Sequence, residues 1–130
     1  MSHYNMWRKG HPTQKDWDIA YKEAYNELEI TLKKGENVIW DGGCLKSDER
    51  EFLRQVARKF SYSSVLIYIN TPVDVILKRR KVNIKTKERG HLDRLEMKKA
   101  LDMFEEPSLN ENAIIYNSTC DLDLWICEKI

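Results

Sequence analysis

The 130 residues are one domain's worth of chain, and with 42% hydrophobic residues they can bury a core of their own. Charged residues make up 33% yet nearly cancel at net +1, so no global field draws the protein toward nucleic acid or membrane. Three cysteines, Cys44, Cys120 and Cys127, with no C-x-x-C pair, argue against a disulfide scaffold and a zinc site, and the polar opening carries no signal-peptide core. No apolar run approaches the roughly 20 residues of a membrane span, so the expectation is a soluble, cytoplasmic protein without a membrane partner.

From Asp16 to Lys34 the residues Trp17, Tyr21, Ala24, Leu28 and Leu32 recur at spacings of three and four, the stripe of an amphipathic helix. Thr13 and Asp16 form a capping pair at its start, and Gly35 stops it. Val38 to Trp40 is short and apolar and is broken by Asp41-Gly42-Gly43, which predicts a buried strand opening into a loop. Ser47 is the expected cap of the next helix, whose apolar face is Phe52, Leu53, Val56, Ala57 and Phe60. The run "SVLIYIN", residues 64 to 70, is apolar nearly throughout, as in a parallel strand covered on both faces.

A helix follows with Thr71 as its cap and Pro72 at its first position. Residues 78 to 89, "KRRKVNIKTKER", hold seven basic residues against one acid. A further helix is predicted from Arg94 to about Glu105, capped by Asp93 and Glu96 and ended by Pro107. "AIIYN", 113 to 117, reads as a third strand, and "DLDLWICEKI" as a closing helix or strand. Alternating strands and helices predict a single three-layer α/β domain spanning 1 to 130, built on a parallel sheet. Ligands of such sheets lie beyond the carboxyl ends of the strands, which points to Asp41–Cys44, Asn70–Thr71 and Asn117–Thr119.

An acid at that end of a parallel strand can hold Mg²⁺ through water beside a triphosphate, and Asp41 has that place; a plain turn-forming aspartate is the alternative. The basic block can clamp phosphates with forked arginine donors, can be a solvated helix end, or can contact a nucleic-acid backbone, although it lacks the interleaved aromatics that stack bases. His3, His11 and His91 have no metal spacing, and the tryptophans Trp7, Trp17, Trp40 and Trp125 read as core or interface residues.

"NVIWDGGCLKSDER", "VLIYINTPVDVILKRR" and "MFEEPSLNE", in this order, resemble the P-loop kinases of the polynucleotide-kinase and zeta-toxin type, often labelled AAA-family ATPases. The likeness spans roughly residues 16 to 118. It implies a P-loop NTPase-like fold and an ATP-dependent phosphotransferase acting with Mg²⁺ on a nucleic-acid end, a nucleoside or a small hydroxyl metabolite. By this resemblance Asp41 matches the acid that orders Mg²⁺ and its waters. Arg79 matches the arginine facing the nucleotide, Arg80 stands where the family has asparagine, and Arg89 lies in a basic lid over residues 78 to 93. Gly42, Gly43 and Cys44 replace the family's A-T-N in the substrate loop, and the double glycine is also similar to small-molecule kinases of the shikimate type.

No G-x-x-x-x-G-K-S/T can be assembled from Gly10, Gly35, Gly42, Gly43 and Gly90. The family's phosphate loop and first strand are therefore expected to be missing, leaving a domain incomplete and inactive alone. The implied strand order puts that missing strand between residues 37–41 and 64–70. Either those two strands pair directly, or an open edge leads to self-association or takes a strand from another chain. A non-catalytic interaction domain and a nucleic-acid binder on the same scaffold are the competing expectations.

Overall fold

The computed structural model describes residues 12–88, 90 and 92–130. Arg89, the three histidines and Trp7 lie outside the described residues. Among those described, the chain forms helix α1 (Gln14–Lys33), helix α2 (Ser47–Lys59), strand β1 (Ile67–Asn70), helix α3 (Val73–Thr86), helix α4 (Arg94–Met103), a 3₁₀ turn (Leu109–Glu111), strand β2 (Ile114–Asn117) and helix α5 (Leu122–Lys129). The architecture is mostly helical with one small two-stranded parallel sheet, compatible with a reduced P-loop-like α/β arrangement rather than the full three-layer sheet expected. No helix among the described residues is long and apolar enough to cross a membrane.

The residues group into two compact units. One holds the chain up to Gly42 with Gln55–Tyr62, and the other holds Gly43–Arg54 with Ser63–Ile130. In the first unit, α1 starts where the sequence predicts. The Thr13 hydroxyl accepts from the Asp16 amide at 3.3 Å, and the Asp16 carboxylate accepts from the Thr13 amide at 2.8 Å, so two orphan donors of the first turn are satisfied reciprocally. Ala20, Leu28 and Leu32 are buried from α1 and Val56 from α2, which is the apolar core of this unit. Lys59 adds an ion pair to Glu29 at 3.0 Å.

In the second unit, β1 and β2 run parallel in the register Ile67 to Ile114 through Asn70 to Asn117. The closing segment is helical: the Asp121 carboxylate caps α5 by accepting from the Leu124 amide at 3.0 Å. Trp125 of that helix is buried, donates to the Ile115 carbonyl at 2.9 Å and meets Tyr116 edge-on. The capping box of α4 forms as expected between Asp93 and Glu96, but the helix stops at Met103, where Phe104 turns extended, ahead of the stop that Pro107 would impose.

Several expectations are corrected. Val38–Trp40 is irregular, not a buried strand, and Ile39 is 96% exposed. Three residues have no periodic hydrogen bonds of their own, and no ladder among the described residues supplies them. Direct pairing of 37–41 with 64–70 is therefore not found. The second expected strand shrinks to Ile67–Asn70 and is not covered on both faces, since Ile67 and Ile69, which share one face, remain exposed. Pro72, not Thr71, occupies the cap position of α3, and its carbonyl accepts from the Val75 and Ile76 amides. Ser47 lies inside the first turn of α2 instead of capping it, and its amide donates to the Glu105 carboxylate at 2.9 Å.

A bidentate ion pair in the second unit joins residues 61 apart: Arg50 donates through Nε and Nη2 to the two carboxylate oxygens of Glu111, at 2.8 and 3.0 Å. Arg54 donates to the same carboxylate at 3.1 Å and the Ser108 amide at 3.1 Å, so both oxygens are saturated. The Arg50 hydrogen bonds, above all, hold the Glu111 carboxyl down from 4.5 to about 2. A depressed carboxylate contributes stability that is fully present above pH 4.5 and is lost as pH falls through about 2. Glu111→Ala should therefore lower stability by about 3 kcal/mol at neutral pH, by stranding a buried guanidinium. Urea unfolding followed by circular dichroism should show that deficit shrinking across the same acid range.

Candidate functional site

The loop after Trp40 begins in the first unit, where aromatic rings set its geometry. Tyr25 stacks on Trp40 with centroids 5.0 Å apart and planes 6° from parallel, and Tyr21 stacks on Tyr25 at 6.2 Å. These tyrosines are one helical turn apart on α1, the spacing that places side chains on the same face. The Tyr21 hydroxyl then donates to the Gly42 carbonyl at 3.0 Å. A side chain at Gly42 would strike the Trp40 indole at Nε1 and Cε2, so glycine there is a matter of space. Asp41, between the two, is exposed.

In the second unit the loop continues through two left-handed residues, Gly43 at φ 86° and Cys44 at φ 49°. Gly43 has nothing within 4 Å of where a Cβ would sit, so its glycine is required by backbone conformation and not by space. Arg50 Nη1 donates to the carbonyls of Cys44 and Leu45, at 3.1 and 3.2 Å. The Glu105 amide donates to the same Leu45 carbonyl at 2.8 Å. Glu105 itself is held below its ordinary range, first by the Ser47 backbone amide that donates to it.

Arg79 and Arg80 lie on α3. Arg79 is exposed, and Arg80 is half-buried with Nε donating to the Leu92 carbonyl at 3.0 Å. On the same helix Asn83 is buried, and its amide lies 3.5 Å from the Gly90 carbonyl. Of the expected site residues, Asp41 and Gly42 thus belong to the first unit and Gly43, Cys44, Arg79 and Arg80 to the second. Sequence reasoning missed Tyr21, Arg50, Glu105 and Glu111. Arg50 closes the motif "NVIWDGGCLKSDER" and Glu105 and Glu111 lie in "MFEEPSLNE", yet none was given a role; Glu111 is also the acid of Ser108-x-x-Glu111.

The sequence pattern of the AAA domain family matches residues 3–107, most of the chain. The chain belongs to the AAA domain family. That membership associates it with the P-loop nucleoside triphosphatases in general and with nucleotides broadly. No curated protein and no solved structure matches the chain. The matched span includes Asp41 to Cys44, Arg79 and Arg80, and ends before β2.

Among the described residues no group of three His, Cys, Asp or Glu side chains is placed to hold a metal ion. A cage built wholly of protein ligands is one way to hold Mg²⁺. A single exposed carboxylate fits the other way of holding Mg²⁺, in which waters and phosphate oxygens supply most ligands.

The two glycines should respond differently to alanine. Gly42→Ala should cost about 1–3 kcal/mol and erase the near-ultraviolet signal of the Tyr25–Trp40 stack. Gly43→Ala should cost about 1 kcal/mol through its positive φ and leave that signal intact. Denaturation curves and near-ultraviolet dichroism of the two variants measure both effects.

Proposed function

We propose that this AAA family member is a kinase-like domain of the polynucleotide-kinase and zeta-toxin type, serving ATP-dependent phosphoryl transfer to a nucleic-acid end, a nucleoside or a small hydroxyl metabolite. The observation that carries the reading is the AAA domain match over residues 3–107, which contains all of the candidate residues. The parallel pairing of β1 with β2 and the polar turn Asn70-Thr71-Pro72 at the end of β1 accord with it. In this reading Asp41 orders Mg²⁺ through water. Arg79, Arg80 and Arg89 clamp phosphates from the lid at 78–93, and Gly42, Gly43 and Cys44 face the acceptor. When bound, Mg²⁺ would neutralise charge on the phosphates; the arginines would bind and orient them with forked donors.

The backbone nest and lysine of a Gly-x-x-x-x-Gly-Lys-Ser/Thr loop do not occur in these 130 residues, and in this superfamily they cradle the β- and γ-phosphates. Nucleotide affinity of this chain alone is therefore weak. A second reading, a non-catalytic interaction domain, is favoured by the exposed Ile67, Ile69 and Ile115 of the small sheet.

A nuclear magnetic resonance titration with ATP, with and without Mg²⁺, separates the two. The kinase-like reading expects dissociation constants of about millimolar or weaker, tightened by Mg²⁺, with that gain lost in Asp41→Asn and affinity reduced in Arg79→Ala. Shifts indifferent to Mg²⁺ and to both substitutions would overturn the kinase-like reading in favour of an interaction domain or a nucleic-acid binder.

A further inference from the structure

The charged cluster behind the loop does something that the candidate residues do not. Arg50 is 4% exposed and sits in the first turn of α2, with its guanidinium fork divided between two tasks. Nε and Nη2 grip Glu111, while Nη1 reaches the carbonyls of Cys44 and Leu45. Those carbonyls follow two consecutive residues of left-handed backbone, one of them a non-glycine that carries a steric cost there. Such a conformation persists only where surrounding contacts over-determine it. The Leu45 carbonyl receives a second donor from the Glu105 amide, so the segment around Glu105 and Glu111 holds the loop at two points.

We propose that Arg50 and Glu111 are positioning residues for the acceptor loop: Glu111 orients the Arg50 guanidinium, and Arg50 fixes the backbone of Gly43–Leu45 from behind. That this loop faces an acceptor rests on the kinase-like reading; the clamp itself rests on the distances alone. Arg54 reinforces the same carboxylate and also donates to Glu51, at 2.8 Å. A lysine at position 50 keeps the charge but not the fork, so it cannot serve the carboxylate bidentately and both carbonyls at once.

Cys44 lies on the loop and is half-buried, whereas Cys120 and Cys127 are exposed, so thiol chemistry reports the loop directly. In a Cys120→Ser, Cys127→Ser background, the rate of Cys44 labelling by a neutral maleimide is followed under native conditions. Glu111→Gln and Arg50→Lys should each accelerate it about tenfold, with far-ultraviolet dichroism unchanged. Trp125→Phe removes the indole bond to Ile115 in the same unit and no bond to the loop, so it should leave the rate as it was. Equal acceleration in Trp125→Phe, or none in the two clamp variants, overturns the proposal. Should Glu111→Gln fail to fold, Arg50→Lys alone decides the matter. No nucleotide enters the measurement, so failure of the clamp and failure of the kinase-like reading are seen in different experiments.

Discussion

Burying the Arg50 guanidinium removes it from water, a loss that only saturated partners can offset, and the second unit is organised around offsetting it. Glu111 gives up both oxygens to four donors, and Arg50 spends both donors of Nη1 on two carbonyls of the loop. Of the three residues most deeply buried in this unit, Trp125, Arg50 and Asn83, two are polar. The unit therefore depends on geometry more than on apolar area. An ion pair with two parallel bonds tolerates little displacement, so the 3₁₀ turn that carries Glu111 and the first turn of α2 are locked in one register. The neighbouring contacts of Glu105 with Ser47 and Leu45 follow from that register.

The helices of this chain could be read because their signals are local. Thr13 with Asp16 and Asp93 with Glu96 each lie within one turn, and each forms the box that its spacing implies. Strands have no such local closure. "VIW" at 38–40 and "IYIN" at 67–70 look alike as apolar runs, yet among the described residues only the second meets a partner, the parallel β2 forty-seven residues along by register. What separates them is a pairing that neither segment encodes by itself. The closing segment shows the opposite case: its alternating leucines and isoleucine suit a strand as well as a helix, and the Asp121 cap tips it to α5.

The candidate site was legible to the extent that composition reveals a turn. Asp41-Gly42-Gly43 announces one, and the positive φ at Gly43 agrees. The reason for Gly42 was invisible, because it lies in the indole of Trp40, which is oriented by a tyrosine on another element. The left-handed Cys44 was equally hidden, since no residue preference signals it and its support comes from Arg50. Nor does an arginine in the acidic opening of an amphipathic helix advertise burial. Its partner stands 61 positions away, and one sequence without its three-dimensional pairing carries no trace of that bond.

The structure thus separates two kinds of charge that the sequence presents alike. Arg50 and Glu111 are buried against each other, with both Glu111 oxygens and four of the five Arg50 N–H donors engaged within the fold. Arg79 is exposed, Asp41 is exposed, and Arg80 commits Nε to the Leu92 carbonyl while its guanidinium remains half-exposed. A group that must grasp and release a charged ligand has to stay solvated between events, because sinking it into the fold would exchange the ligand for a permanent partner. The fold's own arginine must do the reverse and accept permanence. In this chain the two kinds of arginine fall on different helices, α2 for the one buried against Glu111 and α3 for those left at the surface, so each can be altered without directly removing the other.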